Sequence, residues 1–329
     1  MAKRVSLADI AESLNVSKST VSFVLNGKAK QFNISQSTQD LILAKAKELN
    51  YVPNVFAKGL REGKTRTVGL VLADISNPFY SQIGKIVQEE LYANGYSLFI
   101  VSTNDDPEVE MRYLNDLVMR SVDGLIVAPC NGIPQLQTVL DETPIPVVFT
   151  DRIADEHGDF VGIDDAHEAG RLIDCFSKKP DAVGIIHASV VDVMTIRLRN
   201  EGAMEACAKR GIKSHTLALA SDRNEAKKQL KQLLDSGVDS LIPLNQLTAL
   251  DTIGLLKELN VTIPDDVRLI SFEDNPAFEY FTPPITALSQ PVQEIAHETV
   301  NRLLSRLSEN TSSRKHLLLN AELIERESH

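Results

Sequence analysis

The chain's 329 residues, 43% hydrophobic and 24% charged, make room for two or three domains with sizeable cores. The net charge of −11 is uneven: residues 1–67 hold 11 Lys/Arg against five Asp/Glu, net +6, and the other 262 hold 23 against 40, net −17. Other features argue against a disulfide scaffold, a secreted or membrane protein and a metalloprotein. Cys130, Cys175 and Cys207 are far apart, Asp9 comes too early for a signal peptide, no apolar run nears about 18–20 residues, and the seven histidines lack metal-ligand spacing.

The basic head opens on a helix start. Ser6 caps, Asp9 is the capping-box acid, and Val5 and Ile10 form the hydrophobic staple. Leu7, Ile10, Ala11 and Leu14 then recur at helical spacing. Leu14-Asn15-Val16 reads as a turn, and Asn15 tolerates left-handed backbone. The start repeats at Ser17, with Val21, Val24 and Leu25 as the apolar stripe. Lys18, Ser19, Ser22 and Phe23 lie opposite. A third helix, capped by Ser35, is expected to turn Leu41, Ile42, Ala46 and Leu49 inward.

Two short helices across a three-residue turn predict a helix-turn-helix. The polar face of the second helix suits a major groove, and its N-terminus favours phosphate. Lys3, Arg4, Lys28, Lys30, Lys58 and Arg61 fall in arms and loops, where backbone-phosphate contacts are usually made. A three-helix packing module without a ligand is the bland alternative. Gly59–Thr65 imitates a P-loop, but it is one residue short and does not follow a strand.

From Val68 the period changes. Continuous apolar runs at 68–73, 96–101, 122–129, 147–151, 182–187, 240–244 and 267–272 alternate with helical stretches. Such runs read as parallel strands covered on both faces, so the body is doubly wound α/β. Its length and a restart near residue 163 predict two lobes. Ligands on such sheets bind past the strands' carboxyl ends. The polar residues there are Asp74, Asn77, Asp151, Arg152, Asn245, Glu273 and Asp274, joined by Arg199 at a helix start and by Phe79 and Tyr80. Carboxylates and amides suit vicinal hydroxyls, and aromatic rings cover sugar C–H faces. Each residue alone is more often a cap or a surface ion pair; the group together favours a ligand cleft.

The stretch VSLADIAESLNVSKSTVSFVLNGK resembles the DNA-binding head of the LacI/GalR family of bacterial transcription regulators. Asn50–Asn54 and Ala57-Lys58-Gly59-Leu60 continue the pattern. The resemblance implies a hinge helix in which Asn54 starts the helix and Ala57 lies beside Leu60. Leu60 would wedge into the minor groove, where unstacking is offset by extra contacts on bent DNA. It also implies DNA contacts by Ser6, Ser17, Lys18, Ser19, Thr20, Ser22, Phe23, Asn26, Lys28 and Lys30. Many members carry Arg at the position of Phe23, which reads guanine; Phe suits a thymine methyl or sugar instead. That residue and the long loop Asn26–Phe32 resemble the fructose-repressor and sucrose-repressor branch.

The body resembles the family's effector domain, itself similar to periplasmic sugar-binding proteins. By that resemblance Asp151, Arg152, Arg199 with Thr195 beside it, Asn245, Gln290, Asn77, Phe79 and Tyr80 hold the effector. Glu273 stands where Asp is usual, and its extra methylene extends the carboxylate into the cleft. Two arginines also suit a phosphate on the sugar; an arginine already paired with Asp151 or Glu273 would leave a neutral ligand.

These readings give a helix-turn-helix head at 1–52 and a hinge helix with linker at 53–66. An effector and dimerisation domain follows at 67–329, its N-lobe 67–162 with 292–324 and its C-lobe 163–291. The expected protein is a cytoplasmic homodimer, paired partly through residues 78–93. It would bind pseudo-palindromic operator DNA under control of a sugar or sugar phosphate, with no cofactor. The rivals are an architectural DNA protein and a sugar-binding enzyme; against the enzyme, there is no G-x-S-x-G elbow and no GxGxxG after a strand.

Overall fold

The computed structural model describes residues 5–52, 63–130, 145–153, 158–188, 193–308 and 315–329. The chain divides into two compact units, residues 1–65 and 66–329. Asn54, Ala57 and Leu60 lie outside the described residues.

The first unit holds α1 (Leu7–Ser13), α2 (Lys18–Leu25) and α3 (Gln36–Glu48). The capping box forms: the Asp9 amide donates to Ser6 Oγ at 3.3 Å, and the Ser6 amide donates to Asp9 Oδ2 at 2.7 Å. Ser17 accepts from the Thr20 amide at 3.0 Å, and Asn15 adopts φ 51 in the turn. Ile10, Ala11, Val21, Val24, Ala29, Ile42 and Ala46 build the core. Two expectations fail. Leu41 is 61% exposed, because it sits a helical step of roughly 100° off the Ile42–Ala46 face. Ser22 is buried, because Asn26 folds over it and donates to its carbonyl oxygen at 2.7 Å and its hydroxyl at 3.3 Å.

Among the described residues, the second unit contains two six-stranded sheets. The first is built from β1 (Thr67–Leu72), β2 (Ser97–Ser102), β3 (Gly124–Val127), β4 (Val147–Thr150), β5 (Asp159–Ile163) and β11 (His316–Leu319), in the order β11-β5-β4-β3-β1-β2. All its pairings are parallel. The second is built from β6 (Ala182–Ala188), β7 (Lys213–Leu219), β8 (Ser240–Pro243), β9 (Arg268–Phe272), β10 (Thr286–Ser289) and β12 (Glu322–Ile324), in the order β12-β10-β9-β8-β6-β7. Only β12 runs antiparallel, against β10. In each sheet the first strand lies between the second and third, the doubly wound pattern whose switch point opens a crevice.

The second unit's described helices include α4 (Pro78–Ala93), α5 (Pro107–Met119), α6 (Asp165–Arg171), α7 (Met194–Lys209) and α9 (Gln246–Glu258), of which α4, α7 and α9 carry residues that line the crevice; α8 (Arg223–Asp235) packs on β7. After β10, α10 (Val292–Leu307) returns to the first sheet and packs on α4, β3, β4 and β5. The chain crosses between the lobes three times: after β5, after β10, and between β11 and β12. The third crossing differs from the expected N-lobe span of 292–324. Residues 322–324 join the second sheet, where Ser328 also donates to the Leu269 carbonyl oxygen at 2.6 Å.

Candidate functional sites

Between the lobes lies a cleft of about 310 Å³, at the small end of the roughly 300–1,000 Å³ usual for ligand pockets. Asp74, Asn77, Phe79, Tyr80, Asp151, Arg152, Thr195, Arg199, Asn245 and Glu273 all line it. Gln290 does not; it lines an adjoining groove and donates to Glu273 Oε1 at 3.2 Å. Several of these groups stand on strained backbone just past strand ends. Asp151 has φ 62 and Glu273 φ 74, with Asn104 and Asp105 at 53 and 57. Non-glycine residues adopt this region at a cost of order 1–3 kcal/mol, and such strain clusters at ligand sites.

Arg199, 2% exposed, is the centre of the C-lobe wall. Its Nε donates to Asp165 Oδ1 at 2.6 Å, and its Nη1 donates to Glu273 Oε1 at 2.8 Å and to the Leu244 carbonyl oxygen at 2.9 Å. The guanidinium carbon lies 4.1 Å from the Phe272 ring centroid, a cation–π contact. Burial opposes the charge on Arg199, but Asp165 and Glu273 outweigh it and hold it protonated. Burial pushes Asp165 up to about 7 against the pull of Arg199, with Asp151 and Glu273 adding to the rise. Burial raises Glu273 too. The longer Glu273 side chain therefore serves Arg199 as well as the cleft.

The N-lobe wall repeats the pattern. Tyr80 donates from its hydroxyl to Asp151 Oδ2 at 2.6 Å. Arg152 is paired with Asp105 through Nη1, and its Nε lies 3.5 Å from Asp151 Oδ2. That Nε has no hydrogen-bond partner among the described residues. Asn77 caps α4 by accepting from the Phe79 amide at 3.0 Å, and Asn245 caps α9 by accepting from the Thr248 amide at 2.8 Å. The N-termini of both helices thus sit at the cleft, where their dipoles favour electron-rich groups. Gln246 bridges the lobes: its Nε2 is 3.4 Å from Asn77 Oδ1, and its Oε1 accepts from Asn275 at 2.8 Å.

Three polar groups of the site were missed by sequence reasoning, as were the apolar lining residues Ala73, Ala188, Val193, Ile196 and Leu247. Asn104 and Asp105 follow β2 directly, so the strand-end rule, applied to that strand, finds them. Asp165 follows β5, a strand that begins with Asp and contains Gly162, so no apolar run announces it. In the head, Lys18, Ser19, Lys28 and Lys30 are exposed, while Ser6, Ser17 and Thr20 are engaged in caps. Asn26 is engaged with Ser22, and the Phe23 ring lies against Phe32.

Comparison with known proteins places this architecture. Residues 6–54 match the lacI family of bacterial regulatory proteins, and residues 181–329 match a periplasmic binding protein-like domain. The catabolite repressor/activator of Escherichia coli (strain K12) is 30% identical over 315 residues, 92% of each chain. The lac repressor dimer bound to operator and the anti-inducer ONPF has a TM-score of 0.84 at 21% identity, covering 99% of both chains. The transcriptional regulator CelR in complex with cellobiose has a TM-score of 0.69 at 25% identity, covering 99% of this chain and 100% of that one. A helix-turn-helix head on a two-lobed, ligand-binding body defines a DNA-binding transcription regulator. This chain belongs to the lacI family of bacterial regulatory proteins.

Proposed function

We propose that this regulator senses a neutral, polyhydroxylated sugar in the inter-lobe cleft and thereby changes its affinity for a pseudo-palindromic operator. The observation that carries the reading is the pairing of both arginines: Asp105 and Asp151 hold Arg152, and Asp165 and Glu273 hold Arg199. An arriving phosphate would meet cations already countered, with Asp74 also on the rim. Hydroxyl groups instead find carboxylate acceptors and the amides of Asn77 and Asn245, and Phe79 and Tyr80 offer ring faces. The effector shifts the equilibrium only by its differential affinity for the two lobe arrangements.

One observation favours a second reading, a sugar phosphate: the Arg152 Nε, 3.5 Å from Asp151, makes no hydrogen bond among the described residues. The Phe23 position and the long Asn26–Phe32 loop support membership of the fructose-repressor and sucrose-repressor branch. Exposed Tyr92, Phe99 and Ile100 on α4 and β2 support pairing of two copies through the first lobe, acting in the cytoplasm on nucleoid DNA. The head contacts DNA through α2, its flanking loops and Leu60.

Calorimetry with neutral sugars and their phosphate esters, read alongside operator affinity, tests the ligand. A neutral sugar should bind at least tenfold tighter than its phosphate ester and shift operator affinity. The reverse order selects the phosphate reading. Absence of both, with operator affinity unmoved, leaves an architectural DNA protein, and turnover of a sugar makes the chain an enzyme.

A further inference from the structure

The Phe23 and Phe32 rings stack with centroids 3.6 Å apart and planes 7° from parallel. Phe23 is on α2, and Phe32 belongs to the long loop that follows it. The pair is not part of the head's core, which lies on the Val21–Val24 side of α2. Phe32 is 46% exposed, and Phe23 is half-buried. The loop that carries Phe32 is nevertheless held. Ala29 is buried in the core, the Lys28 amide donates to the Phe23 carbonyl oxygen at 2.8 Å, and the Ile34 amide donates to that of Ala29 at 3.0 Å. Gln39 then donates to the Ile34 carbonyl oxygen at 2.8 Å. An exposed aromatic on a fixed loop, laid against the one aromatic of the DNA-facing helix, has no core to fill.

We propose that Phe32 is a specificity-determining residue of the DNA-reading head, forming with Phe23 a two-ring apolar ridge that recognises the methyl groups of two adjacent thymines. The ring spacing matches the roughly 3.4 Å rise between successive nucleotides of a strand. In the major groove the thymine 5-methyl is the apolar feature of a base-pair edge, and aromatic side chains contact it. Neither ring has a donor or acceptor for the polar edges. The stack also keeps one face of Phe23 from water, so the ring reaches the groove already ordered, which reduces the entropy lost on binding. Lys28 and Lys30, exposed on the same loop, flank the ridge and suit the adjoining phosphates.

The inference rests on operator binding by the head, and the test separates the two. A duplex site is selected from a random pool with the full-length protein, and its thymines are replaced one at a time by uracil, which removes only the methyl. Failure to enrich any site defeats the DNA-binding reading itself. With a site in hand, uracil at two adjacent positions should each weaken wild-type binding about fivefold. Phe32→Ala should lose about tenfold on the selected site, none on random duplex, and become indifferent to one of the two uracils. Phe32→Tyr keeps the stack and should retain both sensitivities. Thermal melts of the variants check folding. Wild-type indifference to uracil overturns the proposal, as does an unchanged uracil pattern in Phe32→Ala.

Discussion

Arg199 both lines the cleft and ties its wall together through Asp165 and Glu273. Its removal leaves Asp165 and Glu273 buried and facing each other without a cation. Breaking such a pair costs about 3–5 kcal/mol, so Arg199→Ala should lower the urea midpoint strongly. Below its melting point the variant should still bind operator without responding to effector. A wild-type urea midpoint would show that the pair is not what holds this wall together. Glu110, on α5, is wholly buried; its Oε1 accepts from the Cys130 amide at 2.9 Å, and its Oε2 lacks a hydrogen-bond partner among the described residues. Burial pushes its carboxyl up to about 7 from 4.5. Between those values the folded state binds more protons than the unfolded state, so stability falls as pH rises through that window. Glu110→Gln should flatten this decline in thermal melts taken from pH 4.5 to 8; an unchanged slope would assign it to other groups, Asp165 among them. Most cleft residues were legible because the doubly wound rule points at strand ends. The pairings of Arg152 with Asp105 and of Arg199 with Asp165 were not, since ion pairing across elements leaves no local signal.

At the scale of elements, the close approach of α6 to α7 decides the geometry around Arg199. A Cβ on Gly202 would fall inside the van der Waals radius of the Ala166 carbonyl oxygen, so only glycine lets α6 lie where Asp165 reaches Arg199. This gives a physical reason for a glycine three residues after Arg199, in Arg199-Asn200-Glu201-Gly202: the glycine admits the helix that supplies the arginine's partner. Gly202→Ala should destabilise by about 3 kcal/mol and loosen effector affinity together, measured by urea unfolding and calorimetry. Retention of both would mean that the helices part without consequence. Five strands escaped sequence reading; β10 is buried but only four residues long, and the other four share a cause. β7 carries Lys213, Ser214 and His215 on an exposed edge, β5 is interrupted by Gly162, and β11 and β12 are edge strands of four and three residues. Such segments draw their apolar cover from neighbours, so their own composition says little.

For the whole molecule, the charge split separates a basic head from an acidic body. Affinity for DNA should fall steeply with salt, with a log–log slope of roughly −0.9 per phosphate neutralised, whereas effector affinity should change little. A flat salt profile for DNA would contradict the role of the basic head. Leu60→Ala should weaken specific operator binding much more than binding to random duplex, compared by fluorescence anisotropy. Equal losses would remove the wedge.

The strands β11 and β12 flank a single short connection, yet each closes the edge of a different sheet. A premature stop codon before residue 315 would therefore strip both lobes at once. It would bare the buried β5 on one side and β10 on the other. Exposed edges of this kind invite aggregation and proteolysis. Nonsense alleles that stop before residue 315 should therefore behave genetically as nulls, whereas missense changes that remove only a ligand contact in the cleft should yield proteins that still occupy DNA.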